Sequence, residues 1–490
     1  VVKQFKVTGS TVFSPAALDK VTQPFTARPI SLAELFQVRS AITQLYVARG
    51  YITSGAYIPP QTLQAGMVEI RVIEGELEAI QVSGTRRLNP RYIRRRLEIA
   101  TYKPLNQKRL LSALQLLQLN PLIEQLSAEL SAGSRPGSNL LEVRVAEART
   151  FKPQIVLDNG RSPSIGSFQR RLQLSEANLL GQGDGISAAY TNTDGSNGVD
   201  FSYSLPVNAR NGTVSVAYGT TFSNIVEPPF NELDINATSR YYELTFRQPL
   251  LQSPQHEFAI GFTAARSAAK ASLFDGEIPY PTLGADEEGQ TRVSALRFFQ
   301  EWTRRSPRQV VAMRSQLSFG LGILDSTINS RLPDSRFVSW RGQGQWVRRL
   351  APETLVLVRG DLQIADRDLL ALEQFGLGGL SSVRGYRQDF LLTDNGAFAS
   401  AEVRVPIWRF ERVRGVLQIA PFVDLGTGWN YSLRPNPDPT FLASVGLGLR
   451  WQWRDRLTAR FDWGVPLVSV ESQRRTLQEN GFYFSLVYSP

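Results

Sequence analysis

The sequence predicts two kinds of structure in one chain. Two small α+β modules of order β-α-α-β-β come first, over residues 1–75 and 76–149. A transmembrane antiparallel β-barrel of about sixteen strands then occupies residues 150–490. Three observations carry this reading. An order of elements repeats inside the first third of the chain. From Phe151 onward, period-two alternation replaces helical spacing. No run of about 18 uninterrupted apolar residues occurs, so no helix is expected to cross a membrane, whereas a barrel strand needs only about 10 residues with alternate ones apolar.

The first module opens on a short strand, Phe5-Lys6-Val7, that ends at Gly9. A helix is expected from Leu32 to Ala48, because Leu35, Val38, Ile42, Leu45 and Tyr46 fall at three-to-four spacing and make one buried stripe. Ser31 with Glu34 resembles a capping box, and Gly50 ends the helix. Val68, Ile70 and Val72 alternate with Glu69 and Arg71, which predicts a strand closed by Gly75. The order then returns. Ile80-Gln81-Val82 ends at Gly84, helices are expected near Tyr92 to Glu98 and Asn106 to Leu119, and strands near Ile123 to Leu130 and Leu140 to Val145. A repeat of roughly 75 residues argues for tandem domains rather than one sheet.

Beyond residue 150 the alternation is sustained. Tyr242, Leu244 and Phe246 alternate with Glu243, Thr245 and Arg247. Val311, Met313, Leu317 and Phe319 alternate with Arg314, Gln316 and Ser318; Val356, Val358 and Leu362 with Arg359, Asp361 and Gln363. Phe482, Phe484, Leu486 and Tyr488 share one face. The polar face carries full charges and the apolar face is rich in aromatics. Long loops such as 223–238 and 275–290, and some 340 residues of alternation, exceed a β-sandwich. Tyr242, Leu244, Phe246, Phe482 and Phe484 are expected to face lipid.

The bulk properties narrow the function. The 490 residues are 42% hydrophobic and contain no cysteine, so disulfide and thiolate chemistry are absent. The single histidine, His256, precedes an alternating run and reads as a strand end rather than a catalytic base. Residues 1–150 hold 19 of the 54 Lys and Arg and 11 of the 44 Asp and Glu, so the basic excess sits in the first third. A pI near 9.8 raises nucleic acid as a partner. No zinc-finger spacing, RNP-like motif or basic block with interleaved aromatics supports it. The chain starts at Val1 without Met, as a mature or trimmed form would.

Two motifs stand out. Val383-Arg384-Gly385-Tyr386 follows a glycine-rich stretch, Phe375-Gly376-Leu377-Gly378-Gly379-Leu380-Ser381-Ser382, between two alternating runs, and is therefore a loop. An arginine in such a loop is ordinarily a solvated charge. In Pro421-Phe422-Val423-Asp424-Leu425-Gly426, Leu417, Ile419 and Val423 share one face and Gln418, Ala420 and Asp424 the other. If the apolar face meets lipid, Asp424 points into the lumen, where a guanidinium suits it best.

Together these motifs resemble the signature pair of the POTRA-plus-barrel superfamily of outer-membrane protein translocators and insertases. The N-terminal third narrows the resemblance. Tyr46, Arg49-Gly50-Tyr51, Ile58-Pro59-Pro60-Gln61, Gly66 and Val72-Ile73-Glu74-Gly75 resemble the first POTRA domain of two-partner secretion transporters, the TpsB or hemolysin secretion/activation type. Val82-Ser83-Gly84 and Pro104-Leu105-Asn106 resemble the second. The resemblance implies two periplasmic POTRA domains and a sixteen-stranded barrel in the bacterial outer membrane. It implies a loop folded back into the lumen, where Arg384 pairs with Asp424 and Gly378, Gly379, Phe422 and Gly426 support the motif. It also implies secretion of a large TpsA-like, β-helical exoprotein, without nucleotide, by a monomeric pore in outer-membrane lipids. Members often carry a plug helix before the first POTRA domain, and none is read here. Tyr488 is expected to serve as the terminal aromatic residue.

The Arg384–Asp424 pair is expected in a water-accessible space, with a net worth of about 1–3 kcal/mol. Arg86, Arg87, Arg91, Arg94, Arg95 and Arg96 read as a solvated helix face, or as a contact for anionic headgroups or an acidic client. Asn236-Ala237-Thr238 matches a glycosylation sequon by chance. Three other functions compete with secretion. A barrel-assembly insertase usually carries more POTRA domains, a passive porin needs no periplasmic modules, and an enzyme needs motifs that are missing: no HExxH, GxSxG, Walker-A or metal-ligand cluster occurs. No cofactor, metal or nucleic acid is expected.

Overall fold

The computed structural model describes residues 1–490 apart from 63–65, 277, 281, 331–332, 411–413 and 472–474. It divides into two units, Val1–Arg149 with Leu180–Gly183, and Thr150–Leu179 with Asp184–Pro490.

The first unit holds two three-stranded sheets built alike. In the first, Gln4–Thr8 runs parallel to the central strand Met67–Ile73, and Gly55–Tyr57 pairs with that strand antiparallel. The helix Leu32–Ala48 covers the sheet. Ser31 and Glu34 close its N-terminus as a capping box, and Val38, Ile42 and Tyr46 are fully buried against Phe5, Val68, Ile70 and Val72. The three-to-four stripe thus meets the inward residues of the strand, as amphipathic spacing requires. A helix that the apolar spacing had not located, Pro15–Thr22, starts on Ser14 with proline at its first position. In the second sheet Glu76–Ser83 runs parallel to Ser138–Glu147, which pairs antiparallel with Ile123–Ala132. Helices Pro90–Glu98 and Gln107–Gln118 begin on Asn89 and Asn106. The first of these starts two residues before Tyr92, because Asn89-Pro90 supplies the cap and a pre-set φ.

The repeat extends to single residues. Gly9 and Gly84 each end the first strand at φ +84°, and a Cβ on either would meet a carbonyl oxygen of the central strand, Val72 at 2.4 Å or Val145 at 2.3 Å. Only glycine fits both the conformation and the space.

The second unit is a closed antiparallel barrel of sixteen strands, each paired with its neighbours in sequence; a two-residue strand, Ile278–Pro279, is added at one rim. The last strand, Phe482–Tyr488, returns to the first, Phe151–Asp158. Tyr242, Leu244 and Phe246 are exposed on the outer wall. Phe482 stacks outside on Phe461 and Trp463, while Tyr483 between Phe482 and Phe484 is fully buried inside. The inner wall carries ion pairs, among them Arg247 with Glu257 and Glu301, Arg314 with Glu301, and Arg341 with Asp361. Short turns such as 253–255 and 352–353 close one end, and long segments such as 225–235 and 366–394 the other. His256 is the first residue of the strand His256–Leu273. Asn236 and Thr238 lie in the ladder of the strand Asn236–Gln252.

Candidate functional site

The segment after the strand Thr354–Ala365 does not stay outside the barrel wall. It forms a small hairpin, Phe375–Leu377 against Leu391–Thr393, and the motif loop hangs between the two arms. Phe375, Leu377, Val383, Tyr386 and Leu391 pack on Phe398 and Leu442 of the inner wall, so the loop has its own hydrophobic core. Gly378 and Gly379 take φ +107° and +95°, and Ser382 Oγ links back to Gly378 N and O, both at 2.9 Å. Gly385, at φ +102°, brings its N–H to the Tyr483 hydroxyl at 3.0 Å. The Tyr386 hydroxyl donates to the Ala443 carbonyl at 2.8 Å and accepts from Val468 N at 3.1 Å.

Arg384 is fully buried rather than solvated. Its Nε and Nη2 donate to the two carboxylate oxygens of Asp424 at 2.7 and 2.9 Å, and its backbone N–H reaches Oδ2 at 3.2 Å. Nη1 donates to Glu402 at 2.8 Å and lies 3.5 Å from Asp462. The guanidinium sits 3.3 Å over the centroid of Phe422. Ser400 gives Asp424 a further hydrogen bond at 2.6 Å. Arg450 bridges Glu402 and Asp462, Arg404 pairs with Glu402, and Arg460 with Asp462.

The expected isolated pair in a water-accessible space is therefore corrected. Four guanidiniums and three carboxylates form one network across four adjacent strands, and the central pair is dry. Alternation predicted the side on which Asp424 stands, since a single strand suffices for that. Glu402, Asp462, Arg450 and Tyr483 come from other strands, and only the register Glu402↔Phe422, Ser400↔Asp424 and Gly448↔Asp462 brings them together. A scan for inward charges within two residues of each strand's alternation would have raised them as candidates, without their partners.

The wall is thinned where the loop docks. A Cβ at Gly426 would lie 2.8 Å from Val383, one at Gly446 would lie 2.2 Å from the Phe422 ring, and one at Gly464 would lie 2.8 Å from the backbone of Arg384 and Gly385. These positions let main chain and aromatic ring approach the sheet closely.

The module residues singled out in the sequence lie elsewhere. Gln61 exchanges hydrogen bonds at 2.8 Å with N and O of Glu69, so its amide continues the ladder beyond the three-residue strand Gly55–Tyr57. Pro60 is exposed beside it. Gly66 accepts from Lys3 N at 2.7 Å, and Gly75 N donates to Ser54 at 2.9 Å. Glu74 is buried and accepts from Thr11 N and Oγ1, Val12 N and the Tyr46 hydroxyl. Its repeat equivalent, Glu147, was missed. Glu147 accepts from the backbone N–H groups of Arg86, Arg87 and Leu88. The signal was present, because each glutamate stands two residues after the valine opposite Gly9 or Gly84. Of the basic cluster, Arg94 donates to Ile80 O and Arg96 covers the Tyr92 ring, so these two hold the module together rather than forming a solvated face.

Burial raises both glutamates, but the hydrogen bonds outweigh it. Those from Thr11, Tyr46 and Val12 hold the Glu74 carboxyl below the usual value of 4.5, and those from Leu88, Arg86 and Arg87 do the same for Glu147. A depressed folded pKa gives stability that is present above the unfolded value and is lost as pH falls through the folded one. A fragment of residues 1–149 is thus expected to lose stability progressively below about pH 4.5. Glu74→Ala at neutral pH should cost about 1–3 kcal/mol, because Thr11 and Val12 lose their acceptor. Urea unfolding followed by circular dichroism between pH 3 and 7 checks both. A midpoint independent of pH in the wild-type fragment contradicts the assignment.

Comparison with known proteins gives three kinds of relative. The family of haemolysin secretion/activation proteins ShlB/FhaC/HecB matches residues 137–451, and the ShlB-type POTRA domain matches residues 1–75. The outer membrane transporter CdiB of Escherichia coli O6:K15:H31 is 24% identical over 482 residues, covering 95% of this chain and 79% of the relative. The heme/hemopexin transporter protein HuxB of Haemophilus influenzae strain 86-028NP is 21% identical over 461 residues, with 88% and 77% covered. The solved structure of CdiB from Escherichia coli superposes with a TM-score of 0.76 at 21% identity over 100% of this chain and 90% of that one, a likeness of fold.

Proposed function

The chain belongs to the ShlB/FhaC/HecB family of haemolysin secretion/activation proteins, and on that premise we propose how its parts divide the work. It is an outer-membrane transporter of two-partner secretion, with its POTRA region in the periplasm, and such transporters act with secreted exoproteins. This stands ahead of the barrel-assembly insertase and the passive porin.

In our reading the N-terminal modules hold an unfolded, β-helical exoprotein by adding one of its strands to a free sheet edge. The supporting observation is the sheet order. Ile123–Ala132 is an outer strand of ten residues, mostly exposed, with one edge paired to Ser138–Glu147 and the other unpaired in the sheet. Main-chain pairing tolerates varied client sequence. The barrel then passes the client, as a monomer in outer-membrane lipid and without cofactor or chemical step. The loop carrying Val383, Arg384, Gly385 and Tyr386 works from its docked place on the inner wall, and secretion depends on that docking.

The observation that carries this reading is that the loop lies inside the barrel, with its buried guanidinium, Arg384, on three carboxylates of the wall and its apolar residues packed on Phe398 and Leu442. The test of the periplasmic step is site-specific photocrosslinking to a client stalled in transit. Probes at Glu129 and Ser131 should capture it, and a proline at the same positions should reduce secretion. Crosslinks confined to the barrel overturn the edge-pairing step while leaving the pore.

A further inference from the structure

The outer wall carries a cluster of cations toward one end of its lipid-facing strands. On the strand Asn236–Gln252 the lipid-facing residues Phe246, Leu244 and Tyr242 are followed by Arg240. Directly paired residues of neighbouring strands share a face. Tyr242 pairs with Arg266 and Thr238 with Lys270, so Arg266 and Lys270 stand on the same outer side. Arg240 pairs with Ala268 and is the diagonal neighbour of both, at about 7–8 Å between backbones. The three form a triangle on two adjacent strands.

Little neutralises them. Arg240 and Lys270 are exposed and make no ion pair among the described residues. Arg266 donates only to neutral oxygens, those of Ser294 at 2.9 Å, Ser326 at 3.1 Å and the Asp325 carbonyl at 3.2 Å. Arg292 nearby is different, since Asp286 and Asp325 each hold it at 2.7 Å. Below the triangle runs an apolar groove of about 670 Å³, walled by Tyr218, Tyr242, Leu244, Leu296 and Leu321, with Arg266 at its rim and Ala264 at its floor. A groove for hydrocarbon beside three cations that no ion pair neutralises among the described residues matches one kind of molecule, an acylated lipid with an anionic head.

The level of the patch fixes the leaflet. The modules are periplasmic and the first barrel strand follows them directly, so the long loops open at the cell surface. Arg240 and Lys270 lie near the strand ends that enter the long segments 225–235 and 274–289. We propose that Arg240, Arg266 and Lys270 bind the phosphates of a phosphorylated glycolipid of the outer leaflet, of the lipopolysaccharide type, with one acyl chain in the groove. Arginine suits phosphate through its paired donors, and lysine adds a point charge. The site rests on the outer-membrane location and not on how the client moves.

Purified full-length protein in nanodiscs of zwitterionic phospholipid tests it, with bound lipid and the heat-induced mobility shift of the barrel as readouts. The probes are intact lipopolysaccharide, dephosphorylated lipopolysaccharide and phosphatidylglycerol. Intact lipopolysaccharide should bind wild type at least about tenfold more tightly than the Arg240→Ala, Arg266→Ala, Lys270→Ala variant, and dephosphorylation should produce an equal loss. Arg240→Lys with Arg266→Lys should keep most of the binding. Ala264→Trp fills the groove with every charge in place and should weaken binding on its own, which keeps the test decisive if the triple variant folds poorly. Equal binding by wild type and triple variant overturns the site. Equal binding of phosphatidylglycerol and lipopolysaccharide overturns the glycolipid, and an unaffected Ala264→Trp variant overturns the acyl seat.

Discussion

Arg384→Ala is expected to yield a barrel that inserts normally and secretes its client about 10²-fold less or worse. The side chain is fully buried, and among the described residues Asp424 has no other guanidinium partner. Removing one member of a buried ion pair strands the other and costs about 3–5 kcal/mol, more than the 1–3 kcal/mol of a hydrated pair. At about 1.4 kcal/mol per decade, the docked position of the loop loses at least two decades of population. Barrel stability is set mainly by the ladder hydrogen bonds of sixteen strands, which do not involve this side chain. Client released at the cell surface per inserted barrel, with single-channel conductance alongside, measures the effect. Secretion at the wild-type rate would remove the latch from the mechanism. The network also decides a finer point. Exchanging the charges, Arg384→Asp with Asp424→Arg, should not restore secretion. The new carboxylate would face Glu402 and Asp462, which remain. A sequence reading of an isolated pair predicts partial rescue, so the double variant separates the two pictures.

The second large effect is steric. Gly464→Ala places a methyl group 2.8 Å from the carbonyl carbon of Arg384 and the nitrogen of Gly385. Both are backbone atoms, pinned by the Asp424 and Tyr483 contacts, and cannot yield cheaply. The loop should therefore leave the wall although every charged group of the network is intact. We expect secretion to fall about tenfold or more, with overpacking strain of about 1–3 kcal/mol. External trypsin should then cut at Arg384 or Arg387, which the docked loop protects. Gly360→Ala is the matched control, since its Cβ would have only the Phe398 carbonyl at 3.7 Å. A Gly464→Ala loop that stays protease-resistant, in a barrel that secretes normally, would show that the close approach is not needed.

These variants also separate two sources of information about the molecule. Periodicity is local, so the helix Leu32–Ala48, the outward Tyr242, Leu244 and Phe246, and the inward Asp424 were all legible in the sequence. The short helix Pro15–Thr22 was not, because eight residues show too little of a repeating stripe. The resemblance to a family's motif pair marked Arg384 and Asp424, 40 residues apart, as members of one site. It did not mark Glu402, Asp462 or Arg450, which no motif joins to them.

By itself, then, the sequence determined two modules, a barrel and the faces of its strands, which follow from spacing along a single strand or helix, where the side-chain direction is set by the backbone period. The two ends of the central ion pair came from the resemblance to a family and not from spacing. Only the tertiary structure decided that the pair is dry, that it belongs to a network of seven charged side chains, and that glycines thin the wall beneath it. It also placed Arg240, Arg266 and Lys270 on one outer patch. The physical reason is common to all of these. Burial and charge pairing depend on which strands lie side by side and in what register, and register is a property of the closed sheet rather than of any one strand.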